Sequence, residues 1–462
     1  MSAPDVEQLR AWDRAHLWHP FTAQADWNAS DPLVIDRAEG VYLFDSEGRR
    51  YLDGVSSLWC NVHGHRHPAL DAALRDQLDK VAHTTLLGAT HAPAVELARR
   101  LSVLAPEGLT RVFFSDDGAT AVEVALKMAF QYWRQRAVPE PGRTRFLALG
   151  GAYHGDTLGV ASLGGVDRFH AMFGPILFPA IRAPIPHCYR CPIGLERPGC
   201  GMACLAEVGR LLEAHAGEVV AVVVEPLVQG AAGMIVHPEG YLAGLRALTR
   251  EHDVLLIADE VAVGFGRTGS LFACDGEGVA PDFLCLAKGL TGGYLPMAAT
   301  LTTEEVYAAF YGTAAEDRTF FHGHTYTGNP LGAAVALANL RVFDDESTLE
   351  RLGPKIARLG VRLAEVAALP HVGDVRHRGL IAGIELVADR ASRAPFPWSD
   401  QVGARVCRRA RERGLLLRPL GDVIVVMPPL SIAVEELDWL IDVLIGSIRE
   451  VVSADGSLEA AR

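Results

Sequence analysis

The sequence contains no long apolar run and no cluster of basic residues. No stretch approaches the roughly 20 apolar residues that a membrane-spanning helix needs, and the acidic N-terminus lacks an apolar segment behind it. We therefore expect no membrane span and no signal peptide, and we interpret the protein as cytoplasmic. The net charge is −13 and no basic stripe is present, which argues against nucleic-acid binding.

Two further absences narrow the fold and the activity. The chain shows neither an internal repeat nor a low-complexity segment. No Gly-x-Gly-x-x-Gly follows the first strand of a β-α-β unit, which disfavours an NAD-dependent dehydrogenase. The 462 residues are 49% hydrophobic and 21% charged, as in ordinary globular proteins, and the length predicts a large domain with one or two smaller ones.

Three short apolar segments read as β-strands that each end in an ionisable residue, with helix-length segments between them. They are Val219–Val224 before Glu225, Val254–Ala258 before Asp259, and Phe283–Ala287 before Lys288. In a parallel α/β sheet, ligands bind at the carboxyl ends of the strands. A buried lysine there loses proton affinity and becomes a nucleophile that can form a Schiff base, and a nearby carboxylate can keep a pyridine nitrogen protonated. Lys288 and Asp259 thus suit pyridoxal 5′-phosphate; the alternative for a lone strand-end lysine is a solvated cap.

A turn of small residues connects the predicted strand Val112–Phe114 to an amphipathic helix predicted over Ala121–Arg134. Free backbone N–H groups and the helix dipole at such a turn favour an anion. The turn at residues 115–120 therefore predicts a phosphate site. The alternative is a simple helix cap made by Asp117.

The alternation of strands and helices predicts three parts of the chain. Residues 1–70 are predicted to form an N-terminal subdomain, and residues 71–335 a large α/β domain with the strand-end site. Residues 336–462 are predicted to form a C-terminal α+β subdomain.

With these motifs assembled, the chain resembles the class III, fold-type I pyridoxal-phosphate-dependent aminotransferases over about residues 17–429. Five stretches resemble the branch that aminates 8-amino-7-oxononanoate in biotin biosynthesis, usually with S-adenosylmethionine as amino donor. They are HLWHPFT (residues 16–22), DGVSS (53–57), KMAFQYW (127–133), GFGRTG (264–269) and RPLG (418–421). The resemblance implies a transaminase with a mainly parallel seven-stranded sheet in the large domain. It also implies a smaller α+β domain formed by both termini.

The resemblance implies cofactor-binding roles where the motifs match. Lys288 matches the catalytic lysine, which binds the cofactor and moves the proton, and Asp259 matches the partner of the pyridine nitrogen. The other matched cofactor residues are Gly118 and Ala119 at the phosphate turn, Tyr153 over the ring, and His324 and Thr325. Because the threonine of the class is given by the partner subunit, the resemblance implies a homodimer with active sites shared across its interface.

The resemblance also implies a set of residues that bind the small-molecule substrates. They are Phe21, Trp59, Tyr153, Lys288, Gly323 and Arg418. Arg418 matches the arginine that holds the substrate carboxylate through two parallel bonds. The alternative role for Tyr153 is packing in the core, and the alternative role for Arg418 is an ion pair at the surface. Arg267 is either a substrate contact or a structural clamp.

Several positions depart from the class. Asp117 and Ala119 stand where serines are usual at the phosphate turn. Asp117 would repel a phosphate unless it caps the helix, and Thr120 is a candidate for the lost hydroxyl. Phe21 and Leu58 replace a tyrosine and a tryptophan that S-adenosylmethionine-using members commonly have. S-adenosylmethionine is the expected donor, with L-lysine as the alternative. Another ω-aminotransferase, acting on 4-aminobutyrate, ornithine or a diamine, is the alternative function.

Four of the eight cysteines lie within 17 residues, in the pattern C-x2-C-x8-C-x3-C. They are Cys188, Cys191, Cys200 and Cys204. Four thiolates at such spacing can bind structural zinc or an iron–sulfur cluster, and the alternative is a reduced cysteine-rich loop. A metal-binding scaffold that has lost catalysis is a further hypothesis, against which Lys288 and Asp259 argue.

Overall fold

The strands of the protein lie in four sheets in the computed structural model, which describes residues 4–459. In chain order they are β1 (Ile35–Glu39), β2 (Tyr42–Asp45), β3 (Arg50–Asp53), β4 (Leu109–Ser115), β5 (Arg145–Leu149), β6 (Ile181–Ala183), β7 (Val219–Val224), β8 (Val228–Gln229), β9 (Ile235–Val236), β10 (Leu255–Asp259), β11 (Phe283–Leu286), β12 (Ala298–Thr303), β13 (Val372–Arg378), β14 (Ile381–Leu386), β15 (Leu415–Leu416), β16 (Arg418–Leu420) and β17 (Val423–Val426).

The helices cover the faces of these sheets and connect their strands. They are α1 (Val6–His16), α2 (Gln24–Asn28), α3 (Ser56–Trp59), α4 (Pro68–Leu78), α5 (Ala92–Leu104), α6 (Gly118–Gln135), α7 (Leu158–Leu163), α8 (Asp167–His170), α9 (Ala203–Ala214), α10 (Tyr241–Glu251), α11 (Glu304–Ala308), α12 (Pro330–Asp345), α13 (Leu352–Ala367), α14 (Val402–Glu412) and α15 (Val434–Glu459). Short 3-10 segments occur at Ala171–Ile176, Ala273–Glu277, Lys288–Thr291, Ala314–Glu316 and Trp398–Asp400.

The central sheet has seven strands in the order β4-β12-β11-β10-β7-β5-β6. Only β12 runs against the others, pairing antiparallel with both β4 and β11. All six residues of β7 are apolar and buried, as expected for a strand covered by helices on both faces. The prediction of a mainly parallel seven-stranded sheet is confirmed.

The segment between β10 and β11 differs from the helix-length pattern seen in the sequence. It forms turns and the 3-10 segment Ala273–Glu277 instead of an α-helix. The buried carboxylate of Glu260 accepts the backbone N–H groups of Ala273 and Cys274 at 2.6 and 2.7 Å. Ala273 and Cys274 begin the 3-10 segment, where backbone N–H groups have no partner within the helix, so the carboxylate satisfies them.

Both ends of the chain contribute to the smaller α+β part, as the fold class predicted. β15 pairs in parallel with β3, so that Leu415 lies opposite Leu52 and Leu416 opposite Asp53. A second sheet is antiparallel, in the order β13-β14-β17-β16, and contacts α13 and α14. The domain bounds themselves stay a prediction; residues 335 and 336 both lie within α12, and residues 1–3 and 460–462 lie outside the described residues.

Arg267 links these parts of the chain. It is 2% exposed, and its two terminal nitrogens donate to the backbone carbonyls of Pro428 and Asn61, each at 2.5 Å. One carbonyl belongs to the segment after β17 and the other to the loop after α3. These contacts support the structural clamp over the substrate contact.

Replacing Arg267 with alanine is expected to destabilise the protein by roughly 3–5 kcal/mol, because it leaves two buried carbonyls unpaired and a cavity behind. The melting temperature and denaturant midpoint of the purified protein measure the loss. The exposed Arg210, whose ion pair among the described residues is with Glu207 one helical turn away, provides the control. Its replacement by alanine should change stability by less than about 0.5 kcal/mol, and a similarly small effect at Arg267 would contradict the clamp.

Candidate active site

The main cavity of the described chain opens at the carboxyl ends of β7, β10 and β11 and has a volume of about 730 Å³. The three strand-end residues Glu225, Asp259 and Lys288 all line it. They meet because the strands are parallel neighbours in register, with Asp259 opposite Cys285 and Ala258 opposite Val224. The predicted residues Gly118, Ala119, Tyr153 and Trp59 also line this cavity.

Lys288 lies directly beyond β11, where the chain leaves the sheet. Its backbone has φ +42°, a left-handed conformation that is unusual for a residue with a side chain and that often marks functional sites. Its Nζ lies 5.4 Å from the centre of the Trp59 ring. Burial lowers the pKa of the lysine, partly opposed by the charge of Asp259, so a larger fraction of the amine is unprotonated and nucleophilic.

Asp259 is held in one orientation by two hydrogen bonds. Its Oδ1 accepts the backbone N–H of Val261 at 3.0 Å, and its Oδ2 lies 2.7 Å from Nδ1 of buried His154. Sequence reasoning missed His154, although it directly follows Tyr153 in the sequence. The signal available was the adjacency of a histidine to a residue already placed at the site.

Tyr153 faces the cavity and is half-buried. Its hydroxyl donates to Asp156 Oδ2 at 2.8 Å, and burial together with this carboxylate raises the pKa of the phenol. Its backbone N–H donates to Oε1 of Glu225 at 3.1 Å. The position at the cavity wall supports a ligand-facing role over plain core packing.

Glu225 is a second residue whose role sequence reasoning missed. Its other oxygen, Oε2, accepts the backbone N–H of Gly230 at 2.8 Å, so the carboxylate joins two loops of the cavity wall. Burial raises the pKa of Glu225 to about 7, against the two N–H groups and His154, which favour the charged form.

This raised pKa predicts a pH dependence of stability. The unfolded chain releases the Glu225 proton near pH 4.5 and the folded chain near pH 7, so folded protein binds more protons in between. Stability therefore falls as pH rises from about 4.5 to about 7, by up to about 3 kcal/mol for this group, and is flat above. Glu225→Gln should show a smaller loss of melting temperature between pH 5 and pH 7.5 than wild type. An unchanged loss would contradict the assignment.

The turn at residues 115–120 combines the two interpretations given by the sequence. Asp117 caps α6, accepting the N–H of Thr120 at 2.9 Å, so its carboxylate serves the helix. The Thr120 hydroxyl bonds back to Asp117 and is not free to replace the missing serine. Gly118 opens the helix at the cavity wall, and a Cβ there would lie 2.4 Å from Val261, so only glycine fits. The backbone N–H groups at the N-terminus of this 18-residue helix can donate to an anion.

Trp59 ends a left-handed turn, α3, in which all four residues have positive φ between 42° and 71°. The turn is anchored by Asp53, whose Oδ2 accepts the Ser57 hydroxyl at 2.8 Å and lies 3.0 Å from Nε2 of His65. This strained backbone places the buried indole against the cavity.

The remaining predicted residues lie outside the cavity wall. Phe21 packs edge-to-face on Phe169, which packs in the same way on Tyr153, with ring centres 5.3 and 5.9 Å apart. Arg418 is half-buried and makes no ion pair with residues 4–452, the part of the chain whose side chains the structure describes. Burial lowers its pKa, opposed by the nearby Tyr153 phenol, and the contacts do not support a surface ion pair.

Gly323 and His324 lie in a segment without helix or strand before α12, and Thr325 begins the turn that follows. His324 Nδ1 lies 3.0 Å from Oδ2 of Asp116, which itself lines the cavity. Gly323 and Thr325 are exposed and do not contact the cavity of their own chain.

This arrangement is that of a fold-type I pyridoxal-phosphate enzyme. A lysine lies just beyond the end of one strand of a mainly parallel seven-stranded sheet, a buried carboxylate ends the next strand, and a helix N-terminus lies beside them. The chain belongs to the class III aminotransferases: the family match "Aminotransferase class-III" covers residues 23–448. The predicted class and enzyme activity are confirmed, and the family implies pyridoxal phosphate as cofactor.

Individual relatives are similar over almost the whole chain. The adenosylmethionine-8-amino-7-oxononanoate aminotransferase of Nitratidesulfovibrio vulgaris is 58% identical over 100% of this chain and 85% of its own. The enzyme of the same name from Geobacter sulfurreducens is 56% identical, with 97% and 98% covered. The crystal structure of the Methanocaldococcus jannaschii enzyme of that name superposes with a TM-score of 0.92 at 45% identity, covering 96% of this chain and 99% of that one.

A second kind of relative is named for a different activity. An (S)-enantioselective ω-transaminase from Thermomicrobium roseum has a TM-score of 0.92 at 37% identity, with 98% and 100% of the two chains covered. Fold similarity alone therefore does not separate the two activities. Among the described helices, none has the length and apolar character needed to span a membrane.

Proposed function

We propose that this protein transfers an amino group to 8-amino-7-oxononanoate to give 7,8-diaminononanoate, a step of biotin biosynthesis, in the cytoplasm. S-adenosylmethionine is the proposed amino donor and L-lysine the alternative. The main support is the full-length identity of 58% and 56% to two relatives that carry the name of this reaction. The proposed substrates and site residues also fit the chemistry of the cavity.

The cavity residues fit pyridoxal phosphate. The N-terminus of α6, with Gly118 and Ala119, suits the phosphate group, and Asp259 is fixed to pair with a protonated ring nitrogen. Tyr153 suits a flat ring face. When bound, the cofactor withdraws electrons from the carbon that carries the transferred amino group.

Lys288 is the proposed acid and base of both half-reactions. Its amine, which burial favours in the unprotonated form, takes the proton from the carbon that bears the amino group of the donor. It returns a proton to the former ketone carbon of the acceptor. The apolar ring of Trp59 beside the amine limits access of water to it.

Arg418 is the proposed partner of the acceptor carboxylate, since its guanidinium has no ion pair of its own with the described side chains of residues 4–452. Replacing it with alanine should raise the KM for 8-amino-7-oxononanoate by roughly 10–150-fold, the value of charged hydrogen bonds of about 1.5–3 kcal/mol. The half-reaction with the donor should change little. Arg408→Ala on the exposed face of α14 is the control. Equal loss in both half-reactions would contradict this role.

We also propose that the enzyme is a homodimer in which Gly323, His324 and Thr325 face the partner's active site. Support comes from the exposure of Thr325 and from the flanking Phe321 and Tyr326, which are 80% and 59% exposed. Large apolar side chains so exposed suit burial by a second copy. Sedimentation of the cofactor-loaded protein should give twice the chain mass of 49.7 kDa, and a monomer with full activity would refute the proposal.

Phe21 and Leu58 bear on the donor, because Phe21 reaches Tyr153 through Phe169 and Leu58 directly precedes Trp59, and both Tyr153 and Trp59 line the cavity. A single half-reaction decides between donors. Cofactor-loaded protein is mixed separately with S-adenosylmethionine and L-lysine while the absorbance of the bound cofactor is followed. Conversion by S-adenosylmethionine supports the proposal, and conversion by lysine alone replaces the donor.

The same experiment, extended to other amino donors, also tests the alternative ω-aminotransferase function. Conversion only by 4-aminobutyrate, ornithine or a diamine would refute the biotin-pathway assignment and leave the class III aminotransferase. The acceptor is tested by adding 8-amino-7-oxononanoate to the aminated enzyme and detecting 7,8-diaminononanoate by mass spectrometry. A matched oxo acid that lacks the carboxylate should react poorly, since it cannot pair with Arg418.

A further inference from the structure

The loop between β6 and α9 takes no part in the proposed chemistry. Residues 184–202 contain no helix or strand, and Pro192–Gly199 is exposed throughout. Loops longer than about 12–15 residues without secondary structure are uncommon, because ordering them costs entropy that few buried contacts offset. A loop of this length and exposure therefore needs another interaction to stabilise its conformation.

Three free cysteines of this loop and a fourth in the first turn of α9 line a single small cavity. Cys188, Cys191, Cys200 and Cys204 surround a volume of about 20 Å³ against the first turn of α9. Much of the remaining wall is apolar, from Ile185, Ile193, Leu195 and Met202. A volume of this size holds about one water molecule, or one ion, and not a multi-atom cluster.

The loop backbone turns so that both cysteine pairs reach this cavity. Gly194 donates to the carbonyl of Cys191 at 3.1 Å and Cys200 to that of Glu196 at 3.0 Å, closing two turns. Met202 then adopts a left-handed φ of +55° and directs the chain into α9, which carries Cys204. The spacing seen in the sequence is thus matched by a shared location in the fold.

The thiols also affect one another electrostatically. Cys188, Cys200 and Cys204 line the same small cavity, so their thiolate forms would repel one another there. Thiolates that repel one another are stabilised by a bound divalent cation, and Arg197 at the same cavity offsets part of the negative charge.

We propose that Cys188, Cys191, Cys200 and Cys204 bind one Zn²⁺ ion as a structural site. Each thiol releases its proton to solvent and forms one Zn–S bond of about 2.3 Å, giving a four-coordinate tetrahedral site without any redox step. Zinc is favoured over an iron–sulfur cluster by the single-ion size of the cavity.

Zinc binding requires the sulfur atoms to move closer together. Among the described residues, one set of three possible metal ligands has its ligand atoms within 4.8 Å of one another, and it consists of His187, Asp374 and Glu385. The four cysteine sulfur atoms are not that close together. A change of χ1 rotamer moves a sulfur by roughly 3 Å, and exposed Cys188 has room for such a change.

The acidic group near His187 is not the better metal site, because arginines already neutralise it. Arg376 pairs with Asp374 at 2.7 Å and with Glu385 at 2.8 Å, and Arg190 pairs with Glu385 at 2.5 Å. A cation there would have to displace these guanidinium groups.

The proposed site would fasten the large domain to the C-terminal sheet. Tyr189 and Arg190 lie between the first two cysteines. Arg190 pairs with Glu385 of β14, and the Tyr189 carbonyl accepts from Arg393 at 2.5 Å. A Cβ atom added to Gly373 of β13 would lie only 2.4 Å from the Tyr189 hydroxyl, so the loop packs closely on that strand. Ordering the cysteines therefore orders this contact.

Elemental analysis of the untagged, cofactor-loaded protein tests the proposal. We expect about one zinc per chain in wild type, and background levels in Cys191→Ser and Cys200→Ser. Cys407→Ala, which removes a buried thiol of α14 away from the loop, should retain the metal. The two loop variants should also lower the melting temperature. Zinc retained in both loop variants would overturn the proposal.

A second measurement covers the case in which the variants fail to fold. Metal-stripped wild type is titrated with Co²⁺, whose thiolate complexes absorb in the near ultraviolet. Saturation at one equivalent, reversed by Zn²⁺, supports the site. The proposal is overturned by absence of this band, by iron and sulfide in the purified protein, or by a mass lower by two or four hydrogens, which indicates disulfides. All these readouts are independent of transaminase activity.

Discussion

Replacing Lys288 with alanine is expected to lower turnover by at least about 10⁴-fold, because one amine serves both as nucleophile and as proton carrier. No other lysine lines the cavity among the described residues. The neighbouring carboxylates Asp259 and Glu225 are engaged in hydrogen bonds and cannot take over the nucleophilic role.

Initial rates of product formation at saturating substrates measure the loss. Borohydride treatment followed by intact mass analysis should add the cofactor to wild type and not to Lys288→Ala. Lys288→Arg, which keeps the positive charge but cannot lose a proton at neutral pH, should be equally inactive. A small primary amine in the medium should restore part of the activity of the alanine variant. Activity within a hundredfold of wild type would contradict the assignment.

Replacing Asp259 with asparagine is expected to reduce turnover by roughly 10²–10³-fold, the usual cost of losing one preorganised electrostatic group. Asparagine has nearly the same size but no charge, so it cannot stabilise a protonated ring nitrogen. It also weakens the bond to His154, which now lies at 2.7 Å from the carboxylate. Weaker binding of the cofactor should accompany the slower reaction.

The matched control is Asp345→Asn, a loss of one carboxylate at the exposed end of α12. It changes the net charge equally and should leave turnover and cofactor affinity unchanged. Turnover is measured with both substrates saturating, and the cofactor dissociation constant by titration of the apoenzyme. A fall of less than about fivefold in Asp259→Asn would argue against electrostatic pairing with the ring, since such pairing is expected to be worth more.

The residues that the sequence predicted best are those at strand ends. Asp259 and Lys288 each follow an apolar run, and parallel neighbours in register bring such ends to one edge of a sheet. The local sequence pattern therefore predicted that Asp259 and Lys288 would lie close together. The helix cap by Asp117 was also open to sequence reasoning, because it depends on residues only three positions apart.

Other site residues depend on contacts between distant parts of the chain. His154 and Glu225 act through bonds to Asp259 and Tyr153, 105 and 72 residues away. Arg267 donates to carbonyls 161 and 206 residues away. These two bonds favour the structural role over a substrate contact. No local periodicity reports such partners.

By itself, the sequence determined the alternating strands and helices, the strand-end lysine and carboxylate, and the cysteine spacing. Each follows from short-range periodicity or from neighbours along the chain. Only the tertiary structure decided that β15 joins β3, that Trp59 reaches the cavity through a left-handed turn, and that four cysteines share one cavity. The physical reason is that these arrangements depend on packing and hydrogen bonds between segments far apart in sequence, whose relative positions are set when the core closes.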